Sequence, residues 1–273
     1  MKLGTVLGIG WRAAEVLDSA ANAQVVAPMR ASIYIAARGE ILWLGGPAEV
    51  MHPRAVLLSE PPEAASFATG DALPVPRWTM RAWRPDRPRS VGDAVTTWRG
   101  AARRLSSTAA TLGEPAGFGA WLTGAPLAFP LSGAGKAAAA LASACAADDA
   151  SGAAAAASAL LGLGAGLTPS GDDFVGGAFF ARALLAELGS SDGAAWRRAA
   201  ETVRSAARAA TTPISAALLG DLVDGHGWSP LHELAVALAS DDDAGAANAA
   251  SRVIGLGHSS GWDLLAGFIA GTR

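Results

Sequence analysis

The chain of 273 residues has one cysteine, two lysines and no long apolar run. The lone Cys145 excludes a disulfide framework and any cysteine-cluster metal site; in its alanine-rich setting it reads as a small core residue. Charge is scarce too, at 16% of residues with a formal net charge of −3, so general nucleic-acid binding is not signalled. The longest charge-free stretches, Pro115–Gly135 and Ala150–Gly171, are broken by proline and glycine and built largely of weakly apolar alanine, so neither reads as a membrane span. The start of the chain mimics a secretory leader, with Lys2, the apolar run Leu3–Trp11 and Ala21-Asn22-Ala23. Arg12, Glu15 and Asp18 interrupt it, so a cytoplasmic location is expected, with no membrane and no nucleic acid as partner. The scarcity of lysine, Lys2 and Lys136 among 21 basic residues, carries no mechanism.

What is abundant is small. The chain holds 66 alanines and 33 glycines, so 99 residues carry a methyl group or nothing. The glycines follow no three-residue period, which excludes collagen. At 51% hydrophobic, the chain has ample material for a core and is not disordered.

Two regions are expected, a β-rich region over residues 1–90 and a helical domain over 91–273, giving an α+β protein whose β-rich part packs on an Ala/Gly-rich helical part. Ile33–Ala36 and Ile41–Leu44 flank Arg38-Gly39-Glu40 as a hairpin, and Ala55–Leu58 is a further strand. Pro74, Pro76, Pro85 and Pro88 mark a connector. Beyond it, helices are predicted from Asp93 to about Leu112, near 136–147 and 153–161, from Pro169 to Leu188, over 194–210 behind Asp192, after Thr212-Pro213 and Ser229-Pro230, and from Ser260 or Gly261 onward. Asp241-Asp242-Asp243 reads as a turn that caps a helix. Residues 1–130 carry a net charge of +3 and residues 131–273 a net charge of −6. The positive excess lies at Arg77, Arg81, Arg84, Arg87, Arg89, Arg99, Arg103 and Arg104, interleaved with Trp78, Trp83 and Trp98. It reads first as a solvated connector with arginines stacked on tryptophans, and second as a surface for an anion or a partner.

The chemistry concentrates at two serine-glycine turns. Residues 161–174 read Leu-Gly-Leu-Gly-Ala-Gly-Leu-Thr-Pro-Ser-Gly-Asp-Asp-Phe: alternating glycines, hydroxyls, two carboxylates and then an apolar helix. Glycines and a helix start make an anion-binding loop, with Gly164, Gly166 and Gly171 bringing backbone close and Thr168 and Ser170 adding donors. No Gly-Lys-Ser/Thr follows, so it is not a Walker loop. Asp172 and Asp173 would repel a bare phosphate. They can hold Mg²⁺, the one cofactor the motif leaves open, accept from a substrate amide or amino group, or cap the helix. Capping comes first for Asp173, as Ser170-x-x-Asp173 matches a capping box; a role in the site comes first for Asp172.

Ser260-Gly261-Trp262-Asp263-Leu264-Leu265-Ala266-Gly267 echoes Ser170–Gly177, and the sharper of two readings brings both helix starts to one polar site; the plainer one is two capping boxes with glycines for close packing. Gly257-His258-Ser259-Ser260-Gly261 also spells G-x-S-x-G behind a strand-like Arg252-Val253-Ile254, the setting of a nucleophile elbow at Ser259, but no histidine follows as acid–base partner. His258 is a candidate catalytic acid or electrophile, or a histidine closing its turn on backbone. His226 and His232 match no zinc motif and no dedicated metal site is expected, while His52 says little alone.

Gly166–Phe174 together with Gly257–Asp263, and Thr211-Thr212-Pro213-Ile214-Ser215 between them, resemble the AllH-subunit family of oxamate carbamoyltransferase. The likeness covers roughly 155–273 and is weaker around Met51–Val56. It implies a transferase component that moves a carbamoyl group between carbamoyl phosphate and oxamate or a related small carboxylate or amide, in allantoin or purine nitrogen breakdown. It also implies other carbamoyltransferase subunits as partners, one of them similar to acyl-CoA synthetases. The Ser-Thr-Arg-Thr-Arg motif of ordinary carbamoyltransferases is missing, so different residues would act. On this reading Asp172, Asp173 and His258 are catalytic, and Gly164, Gly166, Thr168, Ser170, Gly171, Ser259 and Ser260 bind substrate. The alternatives are a non-catalytic ligand-binding or assembly subunit and a stand-alone amidase or esterase using Ser259.

Overall fold

The computed structural model describes residues 3–75, 77–89 and 92–273, the side chain of Ala64 excepted; Lys2 and Pro76, invoked above, lie outside the described residues. The chain divides into two compact units, Met1–Pro85 and Asp86–Arg273. It is an α+β protein, with a sheet in the first unit and helices in the second.

The first unit holds β1 (Val6–Ile9), α1 (Trp11–Asp18), β2 (Asn22–Pro28), β3 (Ser32–Ala37), β4 (Glu40–Gly45), β5 (Ala55–Leu58) and β6 (Ala72–Pro74). The sheet order is β1-β5-β4-β3-β2-β6, antiparallel except for the β4–β5 pair. The expected hairpin forms: β3 and β4 pair from Ser32–Gly45 to Ala37–Glu40, and Arg38 and Gly39 both take the positive φ that a tight hairpin turn requires. Alternation buries Ile33, Ile35, Leu42 and Leu44, and α1 adds Ala13 and Leu17 to the same core. The leader-like start is thus β1–α1–β2, where a reading as strands and turns missed the helix. Arg54 is 5% exposed; it donates to Glu40 at 2.8 Å and to the Ile41 carbonyl at 3.0 Å. Burial, with Arg54 adding to it, pushes His52 down to about 3, so this histidine stays neutral.

The second unit comprises α2 (Ala94–Thr108), α3 (Phe118–Leu122), α4 (Gly135–Ala146), α5 (Ala150–Ser158), α6 (Ser170–Glu187), α7 (Gly193–Ala210), α8 (Pro213–Val223), α9 (Ser229–Ala239), α10 (Asp243–Ile254) and α11 (Ser260–Gly271). Asp93, Asp192, Thr212 and Asp242 cap their helices as expected, accepting from backbone N–H groups two or three residues on. Ser229 does not; it is the first helical residue, after Trp228. Arg252–Ile254 is the last turn of α10 rather than a strand, because the Asp242 cap and an alanine face carry the helix through it. Of the arginine-rich stretch, Arg84 stacks on Trp11 at 5.0 Å, Arg87 donates to Glu187 at 2.9 Å, and Arg104 binds Asp243 and Asp241. Trp98 is core, stacked on Phe268 at 5.8 Å. Arg12 and Arg84 both stack on Trp11, and Arg84, Arg87 and Arg104 pair with the protein's own carboxylates.

Helices α6 and α11 are buried along most of their length, and α6 joins both hydrophobic clusters of the unit. They run parallel, with their starts in contact at Ser170 and Ser259 and Gly271 reaching Ala178 further along. The approach is backbone on backbone. A Cβ on Gly177 would lie 2.2 Å from the Leu264 carbonyl oxygen, and one on Gly267 would lie 1.9 Å from that of Phe174. These contacts are reciprocal, since Gly177 and Gly267, like Phe174 and Leu264, are equivalent positions of the two motifs.

The equivalence extends upstream. Leu141–Gly164 and Leu234–Gly257, 93 residues apart, are identical at 15 of 24 positions, eight of them not alanine. Asp148 and Asp241 both take positive φ, Asp149 and Asp242 cap α5 and α10, and both capping residues donate their own N–H back, to Ala144 and Ala237. The Gly171 N–H donates to the Leu163 carbonyl and that of Gly261 to Leu256. Helices α4–α6 and α9–α11 are therefore an internal repeat, arranged about a local two-fold axis between α6 and α11.

Gly267→Ala is expected to cost ~3 kcal/mol, the upper range for overpacking, because its neighbour is backbone and cannot turn aside. Gly133→Ala, with nothing within 4 Å, is the neutral control. Chemical denaturation of the two variants checks this.

Candidate functional site

The repeat brings the two serine-glycine turns together. Thr168 and Ser260 hydroxyls lie 3.1 Å apart and those of Ser170 and Ser259 lie 3.4 Å apart. The sharper reading of the echo is the one the structure shows. Neither motif forms its own capping box: Pro169 and Ser259 are the N-caps and neither makes a side-chain cap bond. Instead the acids cross over. Asp173 lies beside Ser260 and Thr168, and Asp263 beside Ser170 and Ser259.

Three carboxyls are buried here, Asp172 at 1%, Asp173 at 3% and Asp263 at 0% exposure. Their surroundings separate their roles. Asp172 accepts from the Gly162 N–H at 2.7 Å, from Ser215 Oγ at 2.6 Å and from the Thr211 hydroxyl. Thr212 in turn donates to the Leu167 carbonyl at 2.7 Å. The Thr211–Ser215 segment and the glycine loop are thus tied through Asp172. Gly162 is obligatory in this loop, with φ of 74° and the Ala210 carbonyl oxygen 2.2 Å from where a Cβ would stand.

Asp173 and Asp263 are different. Asp263 Oδ1 accepts from the Phe118 N–H at 2.6 Å, while its Oδ2 and the Oδ2 of Asp173 are buried without a hydrogen bond. Burial, and then the neighbouring Asp263 carboxyl, push Asp173 well above the usual carboxylate range against the pull of Ser260 and Thr168. Burial raises Asp263 to about 6, opposed by the Phe118 N–H and by Ser170 and Ser259.

The other expected site residues fall as follows. Gly164 and Gly166 shape the loop with φ of 125° and 97°, and Gly166 is exposed. Gly171 directs its N–H to Leu163 and rests its α-carbon against the Leu160 carbonyl. His258 is exposed on the turn before α11. Among the described residues no three His, Cys, Asp or Glu side chains gather as metal ligands, and Asp172, one of the two residues considered for Mg²⁺, is engaged by three donors. Ser259 follows a helix, not a strand, so the elbow geometry is missing. Sequence reasoning missed Asp263 as an acid of the site and Thr211 and Ser215 as partners of Asp172. The Ser-Gly-x-Asp echo was the available signal for Asp263.

Two parallel helix starts that gather four hydroxyls and two buried carboxyls define a candidate site for a small polar ligand. Residues 160–272, which hold both turns and α6 to α11, match the family model described as oxamate carbamoyltransferase subunit AllH, in line with the resemblance carried by the motifs. No curated protein and no solved structure matches the chain. Among the described residues no helix is long and apolar enough to cross a membrane.

Asp172→Asn is expected to lower stability by about 1–3 kcal/mol without any ligand, because an amide donor then faces groups that already donate. Thermal unfolding measures it. Asp263→Asn keeps the acceptor for Phe118 and removes the charge. A carboxyl raised in the folded state gives stability that is complete below the unfolded value near 4 and declines as pH rises through about 6. The variant should therefore match the parent near pH 4 and exceed it at pH 7, by up to ~3 kcal/mol.

Proposed function

We propose that this chain is a subunit of a carbamoyltransferase and that a small carboxylate or amide substrate of the oxamate type meets it at the paired helix starts. The observation that carries this is the meeting of Thr168 with Ser260 and Ser170 with Ser259 at the same end of two parallel helices. Hydroxyls and the positive helix ends suit a small anionic ligand. Two buried carboxyls disfavour a phosphate dianion at the same spot, so carbamoyl phosphate is assigned to a surface completed by other subunits. As the amide nitrogen bonds to the carbamoyl carbon, the C–O bond to phosphate breaks, phosphate departs, and the nitrogen gives up a proton that a buried carboxylate of the Asp173–Asp263 pair can accept. Asp172 holds the loop in place, and Gly164, Gly166 and the exposed His258 line the approach. The division at residues 90 and 91 into two domains and a cytoplasmic location belong to this reading.

Calorimetry on the chain alone tests it. Oxamate should bind, and Ser260→Ala should weaken binding about tenfold, ~1.4 kcal/mol. Absence of oxamate binding, alone and with partner subunits, would overturn the assignment.

A further inference from the structure

Asp173 and Asp263 occupy equivalent positions of the internal repeat, so the two-fold axis between α6 and α11 relates one carboxyl to the other. Each faces the serine of the opposite motif, and each keeps one oxygen, Oδ2, buried and without a hydrogen bond. Leaving two such atoms unmatched is costly, and native proteins retain such groups where a ligand or a reaction uses them. Thr168, Ser259 and Ser260, whose hydroxyls act on these acids, are half-buried rather than buried. Serine side chains change rotamer within nanoseconds, so a ligand that takes over their hydrogen bonds can reach the acids.

We infer that Asp173 and Asp263 work as an acid pair holding a single proton, and that the group they recognise is the edge of a primary amide. This rests on the reading above that the paired helix starts are the substrate site. Asp263 opposes ionisation of the buried Asp173, so with one acid ionised the other stays a donor. A primary amide presents the matching set on one edge, a carbonyl oxygen for the protonated acid and an N–H for the ionised one. A carboxylate in the same place offers only acceptors and is repelled by the ionised partner. Burial raises both acids, the direction that keeps a proton on the pair. The groups acting on the pair are the Asp172 carboxyl, the hydroxyls of Thr168, Ser170, Ser259 and Ser260, and the Phe118 N–H. None of these is a cation, and the two helix starts add only partial positive charge.

The test compares oxamate with oxalate, which replaces the amide by a second carboxylate, by calorimetry on the full chain. Oxamate should bind at least tenfold more tightly at pH 7, and its affinity should fall at high pH as the pair loses its proton. In Asp173→Ala, which leaves no buried donor unpaired, the preference should shrink below about threefold. Infrared difference spectra across the same pH range should show a protonated carboxyl band in the parent that this variant lacks. Equal binding of the two ligands, with Ser260→Ala still weakening both, would sink the amide inference and leave the site standing. Binding of neither ligand would remove the site reading and the inference together.

Discussion

The contact on which the helical unit depends is between two backbones. Gly177 and Gly267 let α6 and α11 approach until the α-carbon of each meets a carbonyl of the other. At that distance no other residue fits, and register is fixed as firmly as spacing. Because the helices run parallel, the fixed register brings both starts to one end. The hydroxyl pairs, the crossed acids and the summed helix dipoles all follow from it. The alanines of α4, α5 and α10 extend the same logic outward, since small side chains let neighbouring helices close around the central pair.

The site is also held from its flank. A carboxylate with three donors, one backbone N–H and two hydroxyls, joins the glycine loop to the start of α8. Its neighbour in sequence, one residue on, is left without such donors on one oxygen. Adjacent aspartates on a helix point about 100° apart, so one turns outward to α8 and the other inward to α11. That divergence turns two similar residues into an anchor and a carboxyl with an unmatched oxygen.

Much of this was legible in the sequence. Aspartate and threonine caps announced α2, α7, α8 and α10, because a short polar side chain before an apolar run has few other uses. The hairpin was legible from its glycine and alternation, and the two turns from polar residues crowded at glycine-rich helix starts. Other features were hidden for physical reasons. Val253 and Ile254 look like a strand locally, yet the helix begun at Asp243 overrides their β preference. Ser170, Ser229 and Ser260 look like caps but sit one place inside their helices. The repeat was masked by alanine, which matches itself everywhere, and by a loop three residues shorter in the second copy. The bonds from Phe118 to Asp263 and from Thr211 and Ser215 to Asp172 join residues far apart in the chain, and only packing brings them together.

The internal symmetry is broken in a particular place. Counting from the matched serines, Thr168 corresponds to His258, Pro169 to Ser259 and Asp172 to Trp262. A perfectly two-fold cleft would accept a ligand equally well in either direction. Here one side offers a threonine hydroxyl and the other an imidazole and a second serine. The duplicated frame therefore has two unlike sides and acquires a sense of direction.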